Sequence, residues 1–471
     1  MSKRRPITSD SLAFTAPLLL ILYLCIGFIP NWQAVDKIAP QWLIMSVLNL
    51  VSLSYFFNIR KSIAGVLILN LSSKLTLTYI GFILWAMASL VYAINPTEVF
   101  VNLARQLNVF LMFFSMAILS YGLKNKMNFL SWVVSLILSV EVYAVLNEAL
   151  EMINTSGSIS SGTLKGVTAN RNITAFSIAI KIPFVLFLIH RLKKISIKLI
   201  LGILVSSSLI ALSMIQSRAS FIAIGFTTFA FVGLHTTLYF RDRKNWKQFF
   251  QLGYLFIPLI LTIIVNQTVL SSKGADAISR AATISLSTND GSVNQRLRYY
   301  EDVLTHLISN PIFGVGLGNW KIKSIEYDKN DINGYIVPYH AHSDFIQLGA
   351  ELGIVGFLLY LGVFIWAVYY AYRLIRYGGL NQDEKVFIYL IITALGVYSV
   401  DANLNFPIAR PQVLVVWALI IALIVGFNQK EQNKTLKLNP NAKLSNGFLA
   451  LSLLLILPSI YINNTVYKSL K

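Results

Sequence analysis

The sequence predicts an all-α polytopic membrane protein with 12–13 transmembrane helices and a large outward-facing loop that contains an amphipathic helix. Three observations carry this reading. Of the 471 residues, 56% are apolar and only 13% charged, and the mean hydropathy of +0.65 is that of a chain made mostly of bilayer-spanning helices. Apolar stretches of about 20 residues, the length a helix needs to cross the hydrocarbon core, recur from one end of the chain to the other. Lys and Arg then fall preferentially in alternate loops between those stretches, as expected when one side of a membrane selects positive charge.

The stretches lie near 12–29, 41–57, 76–94, 100–121, 129–149, 172–189, 197–215, 219–240, 249–270, 345–372, 386–401, 411–427 and 447–463, with 386–401 the shortest. The start, Met1-Ser2-Lys3-Arg4-Arg5 ahead of Leu12–Ile29, has the charge pattern of a signal peptide but no clean small-residue cleavage site. The first stretch is therefore expected to be retained. With the N-terminus in the cytoplasm, the inside segments 1–11, 58–75, 122–128, 190–198, 241–248, 373–385 and 428–446 hold 23 Lys and Arg. The short outside loops hold five: Lys37, Lys165, Arg171, Arg218 and Arg410. One missed or invented helix would scramble that asymmetry. Much of the net charge of +19 is thus an orientation signal, and the nucleic-acid reading of a basic chain loses its support. The single cysteine, Cys25, sits in an apolar run and excludes both an internal disulfide and a Cys-based metal site.

Along the chain this divides into nine helices over 1–270, a periplasmic or extracellular loop over 271–344, three more helices over 345–427, and a cytoplasmic linker with a last helix over 428–471. The loop carries seven basic and eight acidic residues, so it is not a charged tether. Ser292-Val293-Asn294-Gln295 has the capping-box pattern, and Val293, Leu297, Tyr300, Leu304, Leu307 and Ile308 recur at helical spacing up to Asn310-Pro311. An amphipathic helix lying on the outer membrane surface or on the helix bundle follows. Arg296 lies beside its apolar stripe and Arg298 points further away. Gly314-x-Gly316-x-Gly318 then demands a turn-rich connection. It is a poor phosphate fingerprint, because no strand precedes it and no helix follows at once.

Charges inside membrane helices are costly, so each needs a partner or a function. Arg105, Lys181 just before Pro183, Glu141, Glu148 and Asp401 are of this kind, and Arg218 sits in the tight turn Gln216-Ser217-Arg218-Ala219-Ser220. Most lie toward the outer half, on the side of Arg296 and His342, which implies a polar, net-basic cavity opening outward. Guanidinium groups suit such a cavity because they stay charged and can grip a phosphate through paired hydrogen bonds. The alternative for Arg105, Arg218 and Arg410 is to snorkel, or to pair with Glu148 and Asp401. His342 immediately precedes the tenth helix, and a neutral imidazole there can accept a proton. His340 could be the base instead, and either could be a capping or interfacial residue. The His340/His342 pair finds no Cys on the outward side, and carboxylate ligands would have to be recruited without a motif, so no metal and no cofactor are expected. Asp344, Gln347 and Glu351 share one helical face, where they orient the site or pack against other polar faces. There is no Gly-x-Ser-x-Gly elbow, which removes the usual serine hydrolase. A secondary transporter, with Lys181 and Glu141 as coupling groups, remains the rival from another class.

The chain resembles the bacterial O-antigen ligase and O-antigen polymerase superfamily. The likeness rests on blocks in order over roughly residues 100–425: Gly166-Val167-Thr168-Ala169-Asn170-Arg171-Asn172; Ser217-Arg218-Ala219-Ser220; and Gln295-Arg296-Leu297 followed by Asn310–Asn319. Ala341-His342-Ser343-Asp344-Phe345-Ile346-Gln347 with Glu351–Gly356, and Asn405-Phe406-Pro407, complete it. The motif usually reads His-Asn where this chain has His342-Ser343, and a thirteenth helix exceeds the twelve usual in ligases. The resemblance implies a metal-independent glycosyltransferase of the bacterial inner (plasma) membrane with its site facing the periplasm or exterior. It would take a glycan from undecaprenyl diphosphate, amid membrane lipids, and pass it to an acceptor hydroxyl on lipid A-core or another glycan. O-antigen polymerase and protein O-oligosaccharyltransferase are the alternatives within the superfamily. On the resemblance, His342 would act as general base or orient the acceptor, and Arg218 and Arg296 would bind the diphosphate. Arg105, Lys181, Arg298, His340 and Asn172 are expected to line the substrate site.

Overall fold

The computed structural model describes residues 12, 14–241, 244–282, 291–328, 339–435 and 442–471. The basic N-terminal segment, parts of the large loop (283–290 and 329–338) and the linker 436–441 lie outside them, as does the side chain of the expected cap Ser292. Among the described residues every regular element is a helix. In order these are α1 (Thr15–Leu24), α2 (Ala39–Asn58), α3 (Arg60–Leu71), α4 (Lys74–Ala88), α5 (Pro96–Tyr121) and α6 (Lys126–Ser156). Next come α7 (Arg171–Ala179), α8 (Ile182–Arg191), α9 (Ile195–Ile215), α10 (Arg218–Arg241), α11 (Lys247–Val265) and α12 (Ala277–Ala282). The chain closes with α13 (Gly291–Ser309), α14 (Trp320–Asp328), α15 (Asp344–Tyr377), α16 (Gln382–Leu404), α17 (Pro411–Thr435) and α18 (Ala442–Ser469).

Twelve of the described segments are long and apolar enough to cross a membrane, and the chain is a polytopic membrane protein. Among the described residues, the first apolar stretch gives the ten-residue α1 and a short 3-10 turn, Ile26–Phe28. The short stretch at 386–401 extends to a full α16 because Asn381 and Glu384 form a capping box ahead of it, a signal already present in the sequence. Two expectations need correction. The segment 58–75, read as a loop, contains α3, which buries Ile63, Val66 and Leu67. Its 12 residues reach only about 18 Å, too short to span. The helix expected at 172–189 is broken into α7 and α8 at Ile180-Lys181. Pro183 supplies no N–H to continue the ladder, and the Lys181 ammonium caps the carbonyl of Ser177 instead, at 2.6 Å.

The chain forms two compact units, neither of which is one continuous stretch. The first comprises 1–124, 291–379 and 417–471. In it α18 packs on α2 and α5, α4 on α15, and α13 on α15. Polar side chains tie its helices from within: Tyr23 donates to Asn49 (2.9 Å) and its hydroxyl lies 3.0 Å from that of Ser52, Asn49 donates to Asn108 (2.9 Å), and Asn108 to Ser459 (2.6 Å). Segments that the charge bias places on one side meet one another here. The Val35 N–H bonds the Leu470 carbonyl and the Ile94 N–H the Val315 carbonyl, while Tyr370 meets Lys74 and Glu431 meets Gly379 at the other set of loops.

The second unit comprises 125–290 and 380–416. There α10 packs on α16, α9 on α11, and α6 on α8. At its centre Lys181 and Glu141 form an ion pair of 2.8 Å, with side chains 2% and 4% exposed. Ser177 Oγ donates to the same carboxylate at 2.8 Å.

Breaking such a pair strands a charge in a low-dielectric interior. Lys181→Met alone should therefore lower stability by about 3–5 kcal/mol, whereas Lys181→Met with Glu141→Leu should recover most of the loss. Thermal unfolding in detergent measures both, and equal destabilisation by the single and double variants would contradict the pairing.

Candidate functional site

In the first unit, the part of the large loop that follows α13 is anchored where α15 breaks. Gly353 has φ +66° and ψ −172°, outside the helical region, so the ladder is interrupted after Leu352. The carbonyls released by the break find new donors: Val315 N–H bonds Ala350 O at 3.1 Å, Gly316 N–H bonds Glu351 O at 2.9 Å, and the Trp85 indole bonds Leu352 O at 2.8 Å. The Ile354 N–H turns to the Pro311 carbonyl at 2.9 Å. Glycine is required by closeness as well as by dihedral angle. A Cβ at Gly314 would collide with the backbone of Ala350 and Glu351, and one at Gly353 with the backbone of Ile312.

This settles what the glycine run does. Beyond Val315 and Gly316, the Leu317 N–H bonds Ser89 Oγ (3.2 Å), the Gly318 N–H bonds a Glu351 oxygen (2.8 Å) and the Asn319 N–H bonds the Gly316 carbonyl (3.0 Å). A phosphate cradle needs convergent amides to offer. Here five successive amides are already donated within the fold.

Helix α13 lies against this anchor. It buries Tyr299, Val303 and His306, with Val303 joining Val315, Trp320, Ala341 and Ala350 in a small apolar core. The expected stripe was displaced: Leu304 and Ile308 are 53% and 81% exposed. The neighbours that α13 meets lie on the side of residues 299, 303 and 306, so that face packs and the more aliphatic one stays outside. Arg296 belongs to the packed side, three and four residues before Tyr299 and Tyr300, and is half-buried, as is Arg298. His306 bonds the Tyr327 hydroxyl at 3.2 Å and its ring lies tilted against Trp320, centroids 5.7 Å apart, which makes it a core group.

His342 is held on that same side. The Tyr300 hydroxyl donates to its carbonyl at 3.2 Å, and the Tyr299 ring lies parallel to its imidazole with centroids 6.2 Å apart. Its backbone is left-handed, φ +55°, which is uncommon for a residue with a side chain. Ser343 follows in extended geometry and caps α15 through Ile346 N–H. Burial, with the Arg296 charge adding to it, pushes the imidazole down to about 4. His342 is therefore neutral near pH 7 and able to accept a proton. His340 is also half-buried, its Nδ1 3.4 Å from the Gln347 side-chain oxygen.

The fold thus brings His342, His340 and Arg296 together on adjoining segments, with Arg298 two positions along α13. Arg105 is in the same unit, half-buried, its guanidinium 5.6 Å from the centre of the Trp42 ring. Arg218, Asn172 and Lys181 belong to the second unit. Arg218 begins α10 directly after the left-handed Gln216 and the buried Ser217. Asn172 is half-buried at the start of α7, and Lys181 is enclosed by Glu141 and Ser177. Glu148 accepts from the Gly166 N–H at 2.8 Å, and Asp401 from Asn405 at 2.9 Å. Gln347 and Glu351 are the groups whose task the sequence left open. Both bond the loop, Gln347 to Ala341 N–H and Glu351 to Gly318 N–H.

A relative from Rickettsia conorii, which carries the provisional description polysaccharide ligase, is 36% identical over 74 residues. That stretch is 15% of this chain and 18% of the relative, so the chain spans less than a fifth of that protein's length. The model of the O-antigen ligase family matches residues 203–361. The match takes in Arg218, Arg296, Arg298, His340 and His342, and leaves Arg105, Asn172, Lys181 and the Asn405-Phe406-Pro407 block outside. Over residues 203–361 this membrane protein is similar to the O-antigen ligase family, and the anchored glycine run and His342 lie within the matched stretch.

Proposed function

We propose that the protein is a membrane glycosyltransferase that moves a glycan from an undecaprenyl diphosphate carrier to an acceptor hydroxyl on lipid A-core or another glycan. The observation that carries this reading is the pairing of a half-buried, neutral His342 with a guanidinium on the adjoining helix, inside a stretch matched by the O-antigen ligase family. In the proposed reaction the acceptor oxygen attacks the anomeric carbon while His342 takes the hydroxyl proton. The bond from that carbon to the diphosphate breaks, its electron pair leaves on the diphosphate, and Arg296 meets the charge that develops. Arg218 has the same assignment by resemblance; because it lies in the other unit, its lysine variant is tested separately. The active side is proposed to be the periplasm or exterior, across a bacterial inner membrane. The Lys181–Glu141 contact favours a structural pair over the coupling groups of a carrier, because each charge already has its counter-ion.

Three outcomes test the proposal. With purified protein and a defined lipid-linked donor, transfer should release undecaprenyl diphosphate together with a new glycoside; solute moved unaltered across liposomes would indicate a carrier. His342→Ala should bind donor normally and lose about 10²–10⁴-fold in turnover, and Arg296→Lys should lose about 10²–10³-fold while also binding donor less well. His340→Ala should retain most activity, and loss confined to that variant would move the base two residues upstream.

The second test is the pH profile. The neutral imidazole is the active form, so the rate should hold as pH falls from 8 through 6 and decline only near His342's value of about 4. In Arg296→Gln a like charge is gone, and the acid limb should move upward toward the ordinary imidazole range. A limb that stays in place would separate Arg296 from His342.

Sidedness is the third. A cysteine at the exposed Ser309, in a Cys25→Ser background, should react with an impermeant thiol reagent in intact spheroplasts. Labelling only after membrane rupture would place the loop in the cytoplasm.

A further inference from the structure

Two side chains on the first turns of α15 link both ends of the anchored loop. Ala341 N–H donates to Gln347 Oε1 at 3.2 Å, Gln347 Nε2 donates to Glu351 Oε1 at 3.0 Å, and Gly318 N–H donates to Glu351 Oε2 at 2.8 Å. The chain of bonds has a fixed polarity. A backbone donor stands at each end, so the two side chains between them must present acceptors outward and one donor to each other. A glutamine followed by a carboxylate meets that requirement; two glutamines or two carboxylates do not. Glu351 is only 3% exposed, and a buried carboxylate is expensive unless hydrogen bonds hold it.

The bonds converge on the residue beside His342. Ala341 is fixed by Gln347, the His342 carbonyl by Tyr300, and Ser343 by its cap on Ile346. A left-handed backbone at a residue with a Cβ is disfavoured and persists only where its surroundings determine it. We propose that Gln347 and Glu351 are positioning residues: their directional hydrogen-bond chain, tied to the glycine run through Gly318, holds His342 in its left-handed conformation against α13. The idea rests on His342 acting as the base in the reaction proposed above.

Reversing the polarity of the chain tests it. Glu351→Gln places two amides where one acceptor end is missing, and Gln347→Glu sets two carboxylates against each other. The double variant Gln347→Glu with Glu351→Gln restores a donor and an acceptor at every junction. Each single change should reduce turnover about 10–100-fold with little change in donor KM, and the double variant should regain most of it. Hydrogen exchange at peptides covering Gly318 and Ala341 should speed up in the single variants and slow again in the double one. That reading needs no catalysis and keeps the result interpretable if a variant folds poorly. Failure of the double variant to recover turnover would overturn the proposal, as would faster exchange without slower transfer, or no change in either. If His342→Ala itself transfers normally, the base assignment fails and positioning for catalysis falls with it. The exchange data would then still show whether the clamp exists.

Discussion

The break in α15 at Gly353 is the constraint on which the candidate site depends. In a membrane-embedded helix every backbone N–H and C=O must find a partner, because no water is present to supply one. Interrupting the ladder releases the carbonyls of Ala350, Glu351 and Leu352, and the fold answers with amides of the glycine run and the Trp85 indole. The segment from Pro311 to Gly318 is therefore built into the helix break. Its backbone completes the hydrogen bonding of a broken helix, and a side chain at Gly314 or Gly353 would keep the two backbones apart.

From this anchor the remaining contacts follow in order. Trp320 and Val315, fixed beside Ala350, form the floor on which α13 places Val303. That registers Tyr299 and Tyr300 with His342 and sets Arg296 on the same face. The electrostatic consequence is a neutral imidazole: burial disfavours its charged form, and the neighbouring guanidinium adds to the effect. An imidazole that stays neutral near pH 7 next to a permanent cation would suit the proposed chemistry, in which a proton is removed at one atom while negative charge appears at another.

Elsewhere the spanning helices rely on polar contacts, which matter in lipid because apolar faces have no preference for one another over lipid tails. In the first unit the bonds from Tyr23 through Asn49 and Asn108 to Ser459 connect α1, α2, α5 and α18, and Asn463 reaches Ser46 at 3.0 Å. Such bonds average about 0.6 kcal/mol each. They join the C-terminal helix to the interior of its unit, so α18 is a structural member of the bundle. The second unit concentrates the same task in Lys181 and Glu141, where the broken α7–α8 passes the centre.

Sequence by itself determined the membrane class, the long spans and the extent of α13, because length, apolarity and charge bias are local properties of the chain; it named Arg218, Arg296 and His342 as candidates only. It also contained the capping box before α16, in Asn381 and Glu384, though not the break within α15. Tertiary structure decided the rest. Which face of α13 packs depends on residues far along the chain, so the aliphatic stripe at Leu304 and Ile308 misled while Tyr299 and Val303 were buried. Lys181 looked available until its partner 40 positions earlier was placed at 2.8 Å. The glycine run read only as a turn-rich connection until the carbonyls released at Gly353 gave its amides their partners. Hydrogen-bond partners separated by tens of residues leave no periodicity in a sequence, and only the folded backbone brings them within hydrogen-bonding distance of each other.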